Sequence, residues 1–263
     1  MRYISQKPYG QRPKRRRLTK RFFLFIVMVS VILAGAFSIV RIFPVAISKA
    51  GGDGEVLPEE ALSVKQGFPA DDGRIRIIVD AGHGGCDVGT TGVSTGRLEK
   101  EVNLEIAEKL QAVLEGKGYG VIMTRETDDM IAPTKEEDMH KRESIIMDSH
   151  ADLFVSIHQN FFDKDPDVRG PQVFYRNTAA KGYVLAQYVQ EELNGQLGIS
   201  DPRDVNAGDY QLLRPGDQAS IIVECGFFSN PKEEQKLQED DYQQAIAQAV
   251  GAGIERYLAE TGR

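Results

Sequence analysis

The chain has 263 residues, of which 41% are apolar, with two cysteines, no tryptophan and a formal net charge of −7. That length holds one sizeable core of roughly 180–200 residues plus an appendage, and two cysteines exclude a disulfide scaffold. Residues 1–21 carry nine Lys/Arg and no acid, while the remainder holds 23 basic and 39 acidic side chains, a net of −16, which excludes nucleic acid as the partner of the acidic part.

Residues 1–21 form a basic head. Nineteen uncharged, mostly apolar residues follow at 22–40, and apolar character returns at 42–47. As a helix the nineteen span roughly 28 Å, close to a bilayer core. With the cations ahead of it, residues 22–47 are expected to be a transmembrane signal-anchor, with the head cytoplasmic and the rest exported. The alternative is a signal cleaved after Ala34-Gly35-Ala36, leaving a secreted protein. Residues 48–73, rich in Gly, Asp, Glu and Pro and without periodicity, are expected to be a linker, and the domain to run over 74–263.

Strands and helices then alternate. Residues 76–80 are a β-rich run. Residues 99–115 place Val102, Ile106, Leu110 and Val113/Leu114 at helical spacing and stop at Gly116 and Gly118. A strand is expected at 119–124, a mostly polar helix at 134–149, and strands at 153–157 and 172–175. A helix at 180–193 presents Val184, Leu185, Tyr188 and Val189 on one face. Strands at 210–213 and 221–224 precede a last helix at 242–258, with Ile246, Val250, Ile254 and Tyr257/Leu258 inward. The fold class is therefore α/β: a mixed, mostly parallel sheet with helices on both faces, preceded by one transmembrane helix.

Three strand ends carry chemistry. His83 stands in the glycine-rich turn Gly82-His83-Gly84-Gly85, His158 ends the run 153–157, and Glu224 ends 221–223. The carboxyl end of a sheet is where α/β folds place their ligands. A lone His in such a turn is as easily incidental, and Glu99, opening a helix, by itself is a first-turn carboxylate favoured by the dipole. Two His and one Glu nevertheless make a catalytic zinc ligand set, and a further Glu can serve as general base on water. Asp80 is expected to orient His83 from behind, Asn160 to hold a substrate carbonyl, and Arg214 to meet a substrate carboxylate. His140 and His150 are expected to be solvated. Strand alternation should turn Cys225 away from Glu224 into the core, whereas the direction of Cys86 is open.

The segments VDAGHGG, RLEKEVNLEIAEKL, VIMTRETD, DLFVSIHQN and IIVECGFFSNP, in this order and spacing, resemble the zinc-dependent N-acetylmuramoyl-L-alanine amidases of the Amidase_3 type over residues 75–260. The resemblance implies Zn²⁺ bound by His83, Glu99 and His158, Glu224 as catalytic acid/base, and peptidoglycan as substrate. The sequence departs from the pattern at Ala81, Gln159 and Gln218, and Gln159 is expected to narrow the substrate groove. RGPQVFY at 169–175, the single membrane segment and the lack of a wall-binding repeat resemble the spore-cortex amidases, which act in muramic-δ-lactam formation; a helper protein would be unidentified. The metal set alone would also suit a zinc carboxypeptidase or endopeptidase on the stem peptide. A wall-binding protein with a vestigial site would instead lack one of the four groups.

Overall fold

Five runs with β-branched and aromatic residues and one two-residue strand pair into one sheet: β1 (Arg76–Ala81), β2 (Gly120–Met123), β3 (Leu153–Asn160), β4 (Gln172–Tyr175), the short β5 (Asn206–Ala207) and β6 (Ala219–Phe227). The protein is represented by a computed structural model that describes residues 72–262. The basic head, the transmembrane segment assigned to 22–47 and nearly all of the linker lie outside the described residues, and no described helix is long and apolar enough to cross a membrane. The strand order is β2-β1-β3-β6-β4-β5. The four strands from β2 to β6 run parallel, β4 is antiparallel to β6, and β5 runs parallel to β4. This is the mixed, mostly parallel sheet expected.

Because strand side chains alternate, each strand feeds two different layers. Ile77, Val79 and Ala81 of β1, Leu153, Val155 and Ile157 of β3, and Ile221, Val223 and Cys225 of β6 all enter one large core. Helices α1 (Glu99–Gly116), α3 (Gly182–Gln196) and α5 (Asp240–Thr261) cover it. Val102, Ile106, Leu110 and Leu114 of α1 are fully buried at the spacing expected. On α3 the buried stripe is Leu185, Ala186, Val189 and Leu193, and Val184, expected inward, is exposed.

The opposite face is thinner. Ile78, Phe154, Phe174 and Ile222 meet Ile145 and Ile146 of α2 (Lys135–Asp148) and Leu212 and Leu213. The last two lie in a 3₁₀ turn, Gln211–Leu213, where a strand was expected. Both leucines are buried in the same cluster, which a tight turn permits and an alternating strand does not. A short helix, α4 (Pro231–Lys236), was not foreseen. Its signal is present, since the Asn230 side chain caps the amides of Lys232 and Glu233 and Pro231 opens the first turn.

A charged node ties this thin face together. Asp80, fully buried, accepts hydrogen bonds from Thr124, Ser156 and Arg142. Arg142, 1% exposed, also donates to Asp138 at 2.7 Å, to Ala81 O at 2.9 Å and to His83 O at 2.7 Å. One guanidinium thereby joins α2 to β1 and to the loop that follows it.

Candidate metal centre

That loop leaves β1 at Gly82, whose amide donates to Ile157 O at 3.1 Å, and turns at His83 with a φ of 63°. A positive φ is uncommon for a residue with a Cβ. The Arg142 bond to the His83 carbonyl and the hydrogen bond between His83 Nδ1 and Asp87 Oδ2 at 2.9 Å hold it there. Asp87 is itself held by Lys135 Nζ at 2.9 Å. With Nδ1 so engaged, His83 Nε2 points to Glu99 Oε1, 3.3 Å away.

Glu99 opens α1 and is 2% exposed. Before it, a hairpin closes by pairing Thr91 with Leu98, and the Glu99 amide donates to Thr90 O at 2.9 Å. The Thr90 amide returns the contact to Glu99 Oε2 at 2.8 Å, and the Gln159 amide reaches Oε1 at 3.1 Å. His158 Nδ1, at the end of β3, lies 3.0 Å from the same Oε1. The two imidazoles stand edge to face, with centroids 4.9 Å apart. Burial alone would raise the pKa of Glu99, but the hydrogen bonds and charges of His158 and His83 outweigh it and hold the carboxyl far below its usual range. Burial likewise disfavours charge on His158, yet its bond to Glu99 prevails and lifts it to about 9. Both shifts describe cation-seeking donors held close together.

The donor set fits zinc. Ligand atoms about 2.0–2.2 Å from a tetrahedral ion lie roughly 3.3 Å from one another. Here one donor atom each of His83, Glu99 and His158 lies within 4.8 Å of the others, and His83 Nε2 and His158 Nδ1 stand 3.3 and 3.0 Å from Glu99 Oε1. Two glycines make the room. A Cβ at Gly82 would stand 2.3 Å from the His158 ring, and one at Gly89 would stand 2.5 Å from Glu99 Oε2 and 2.8 Å from His83 Cδ2. Either would displace a donor.

Glu224 sits beside His158 in the parallel β3–β6 register, so both side chains emerge on the thin face. Burial raises its pKa to about 7; the nearby His158 opposes the rise and Glu99 adds to it. Its Oε2 is buried without a hydrogen-bond partner among the described residues. On the other side, β4 sets Gln172 opposite Glu224, and the Phe174–Tyr210 ring pair, at 5.3 Å, stands two residue pairs further along.

The structure brings His83, Glu99, His158 and Glu224 together. It places other expected residues differently. Asp80 serves the buried node, and Asp87 is the carboxylate behind His83; its signal was a carboxylate four residues past the His in the same loop. Gln159, expected in the groove, is 2% exposed on the α1 side, because its neighbour His158 takes the opposite face. Arg214 forms a two-pronged bond with Asp209 at 2.9 and 2.8 Å. Asn160 uses its Oδ1 on the Phe161 amide at 2.8 Å, leaving its donor end to offer. Cys225 lies in the large core as expected, its thiol pKa pushed up by burial, while Cys86 is exposed with its sulfur 3.2 Å from that of Met130. His140 and His150 are exposed.

Residues 77–256 match the family described as N-acetylmuramoyl-L-alanine amidase, Amidase_3. Over 194 residues the chain is 35% identical to the germination-specific N-acetylmuramoyl-L-alanine amidase of Bacillus subtilis (strain 168), covering 71% of this chain and 81% of that protein. Among solved structures, the CwlD amidase of Clostridioides difficile, determined in complex with the GerS lipoprotein, superposes with a TM-score of 0.68 at 36% identity, covering 70% of this chain and 98% of that one. An N-acetylmuramoyl-L-alanine amidase from Clostridium difficile 630 gives a TM-score of 0.66 at 33% identity, over 72% of this chain and 99% of that one.

Proposed function

This chain belongs to the Amidase_3 family of N-acetylmuramoyl-L-alanine amidases, and from that premise we propose that it is a zinc-dependent, membrane-tethered amidase of the spore cortex. As an N-acetylmuramoyl-L-alanine amidase it acts on peptidoglycan, at the amide between the muramic lactyl carbonyl and L-Ala. The observation that carries the zinc reading is the convergence of His83 Nε2 and His158 Nδ1 on one carboxylate oxygen of Glu99.

Asp87 Oδ2 accepts the Nδ1 proton of His83, which leaves Nε2 with its lone pair toward the site. Zinc held by His83, Glu99 and His158 supplies, when bound, Lewis acidity toward a water and toward the scissile carbonyl. Glu224 takes a proton from the attacking water at its unpartnered Oε2 and passes it to the L-Ala nitrogen as the C–N bond breaks. Burial favours the protonated form of Glu224, which suits it to hold the proton between the two halves of that transfer. We assign the donor end of Asn160 to a substrate carbonyl and Arg214 to a substrate carboxylate, which it would meet by giving up Asp209.

The cortex role is supported by the germination-specific relative, and the CwlD complex extends the proposal to a lipoprotein helper for this chain. Tethering is supported by nine cations ahead of nineteen uncharged residues, with the catalytic domain of residues 74–263 on the outer side of the membrane. Mass spectrometry of muropeptides after incubation with the purified protein tests the reaction. Released peptides should begin at L-Ala and leave the lactyl carboxyl free; peptides cut only at internal bonds would mean a stem-peptide peptidase. Spores lacking the protein should lack muramic-δ-lactam, and the full-length protein should fractionate with membranes.

A further inference from the structure

We infer that Asn103 and Gln159 form a buried amide relay that positions the Glu99 carboxylate in the metal centre. This rests on the zinc reading of His83, Glu99 and His158.

Asn103 lies on α1 one turn after Glu99 and is fully buried. Its Nδ2 donates to Glu99 Oε1 at 3.3 Å and to Gly82 O at 3.1 Å. Its Oδ1 accepts from Gln159 Nε2 at 3.2 Å, and the Gln159 backbone N–H donates to Glu99 Oε1 at 3.1 Å. The relay therefore touches the residue before His83, the Glu99 side chain and the residue after His158. Each of the three ligand-bearing segments is tied through one amide group.

The direction of the relay is forced. Glu99 and Gly82 O can only accept, so Asn103 must turn Nδ2 toward them and Oδ1 toward Gln159. Gln159 must then donate, and its own Oε1 is left buried without a partner among the described residues. An unpartnered buried carbonyl typically costs about 1–3 kcal/mol. A side chain present only to fill space would avoid that cost by being apolar. Glu99 also needs more than one restraint. The Thr90 backbone amide holds Oε2 and the Gln159 backbone N–H holds Oε1, while Asn103 Nδ2 adds the side-chain donor at Oε1 whose orientation Gln159 Nε2 fixes. Asn103 and Gln159 are positioning residues: they fix which oxygen faces His83 and His158, and they touch neither.

The test uses two shape-matched variants, Asn103→Leu and Gln159→Met, with Glu99→Ala as the control. Zinc affinity is measured by chelator competition, the visible spectrum of the cobalt-substituted protein reports ligand geometry, and the metal-free protein is melted in parallel. Asn103→Leu should weaken zinc about 10–100-fold, the usual effect of losing a group behind a metal ligand. Gln159→Met should weaken it several-fold, and both should shift the cobalt bands. The melting of metal-free Gln159→Met should stay level, because the unpartnered Gln159 Oε1 is removed while Asn103 Oδ1 loses its donor. A packing role would instead move stability and zinc affinity together. If Asn103→Leu does not fold, Gln159→Met decides alone. Unchanged affinity and cobalt spectrum in Gln159→Met, with zinc lost in Glu99→Ala, would overturn the relay and leave the metal centre standing. Zinc retained in Glu99→Ala would overturn both.

Discussion

On β3, Leu153, Val155 and Ile157 face one side of the sheet, while Phe154, Ser156 and His158 face the other. The same parity holds on β1 and β6. The first side is an apolar layer under three helices as far as Ile157, beyond which Gln159 meets Asn103 of α1. The second mixes a small apolar cluster with the Asp80–Arg142 node, His158 and Glu224. Stability and chemistry are thus carried by alternate residues of the same strands. A change on one face should leave the property of the other nearly intact, and substitutions can break or sharpen that division.

The largest effect should come from Glu224→Gln. Turnover on peptidoglycan should fall about 10²–10⁴-fold while zinc content and melting temperature hold, because the amide cannot take a proton. A near-normal rate would place the base elsewhere, and simultaneous loss of zinc would make Glu224 a ligand. His158→Ala, on the same face, should abolish stoichiometric zinc in elemental analysis, and likewise His83→Ala, since each removes one of three donors.

Ile157→Ala sits one residue away on the other face. It should cost about 2–5 kcal/mol in denaturant unfolding yet leave zinc stoichiometry unchanged in the folded protein. Loss of zinc there under native conditions would show that the faces are coupled.

Asp80→Asn tests the part of the thin face that serves stability. Breaking a buried pair typically costs about 3–5 kcal/mol, and the remaining bond between Arg142 and Asp138 should keep this case near the lower end. Its pH dependence has a defined sign. Burial would raise the pKa of Asp80, but Arg142, Ser156 and Thr124 hold it below its ordinary 3.8. Ionised Asp80 therefore contributes stability above 3.8 that is lost as the pH falls through the lower folded value. The Asn variant should lose less stability than the unsubstituted protein over that acid range; equal acid profiles would remove Asp80 from the ledger. The smallest effect belongs to Cys225→Ala, about 1 kcal/mol with turnover unchanged, because that side chain packs behind the strand that carries Glu224.

Much of this division was legible in the residues themselves. A two-residue period puts Cys225 behind Glu224 whatever lies across the sheet, and a 3.6-residue period selects Val102, Ile106, Leu110 and Leu114 for the core. Those are local properties of a chain. The spacing of His83, Glu99, His158 and Glu224 was read by resemblance to a family; from their own neighbourhoods Glu99 was only a first-turn acid and His83 an ambiguous turn residue. What could not be read was which polar groups meet across sequence gaps. Asp87, rather than Asp80, stands behind His83 because Arg142, 62 residues from Asp80, claims Asp80 for the node. Gln159 supports Glu99 instead of lining a groove because Asn103, 56 residues away, waits beneath β3. Leu212 and Leu213 turn inward together because the thin face offers one small cluster and no strand partner. Periodicity specifies the side a residue takes, but a hydrogen bond needs its partner within about 3 Å, and packing of distant segments sets that distance.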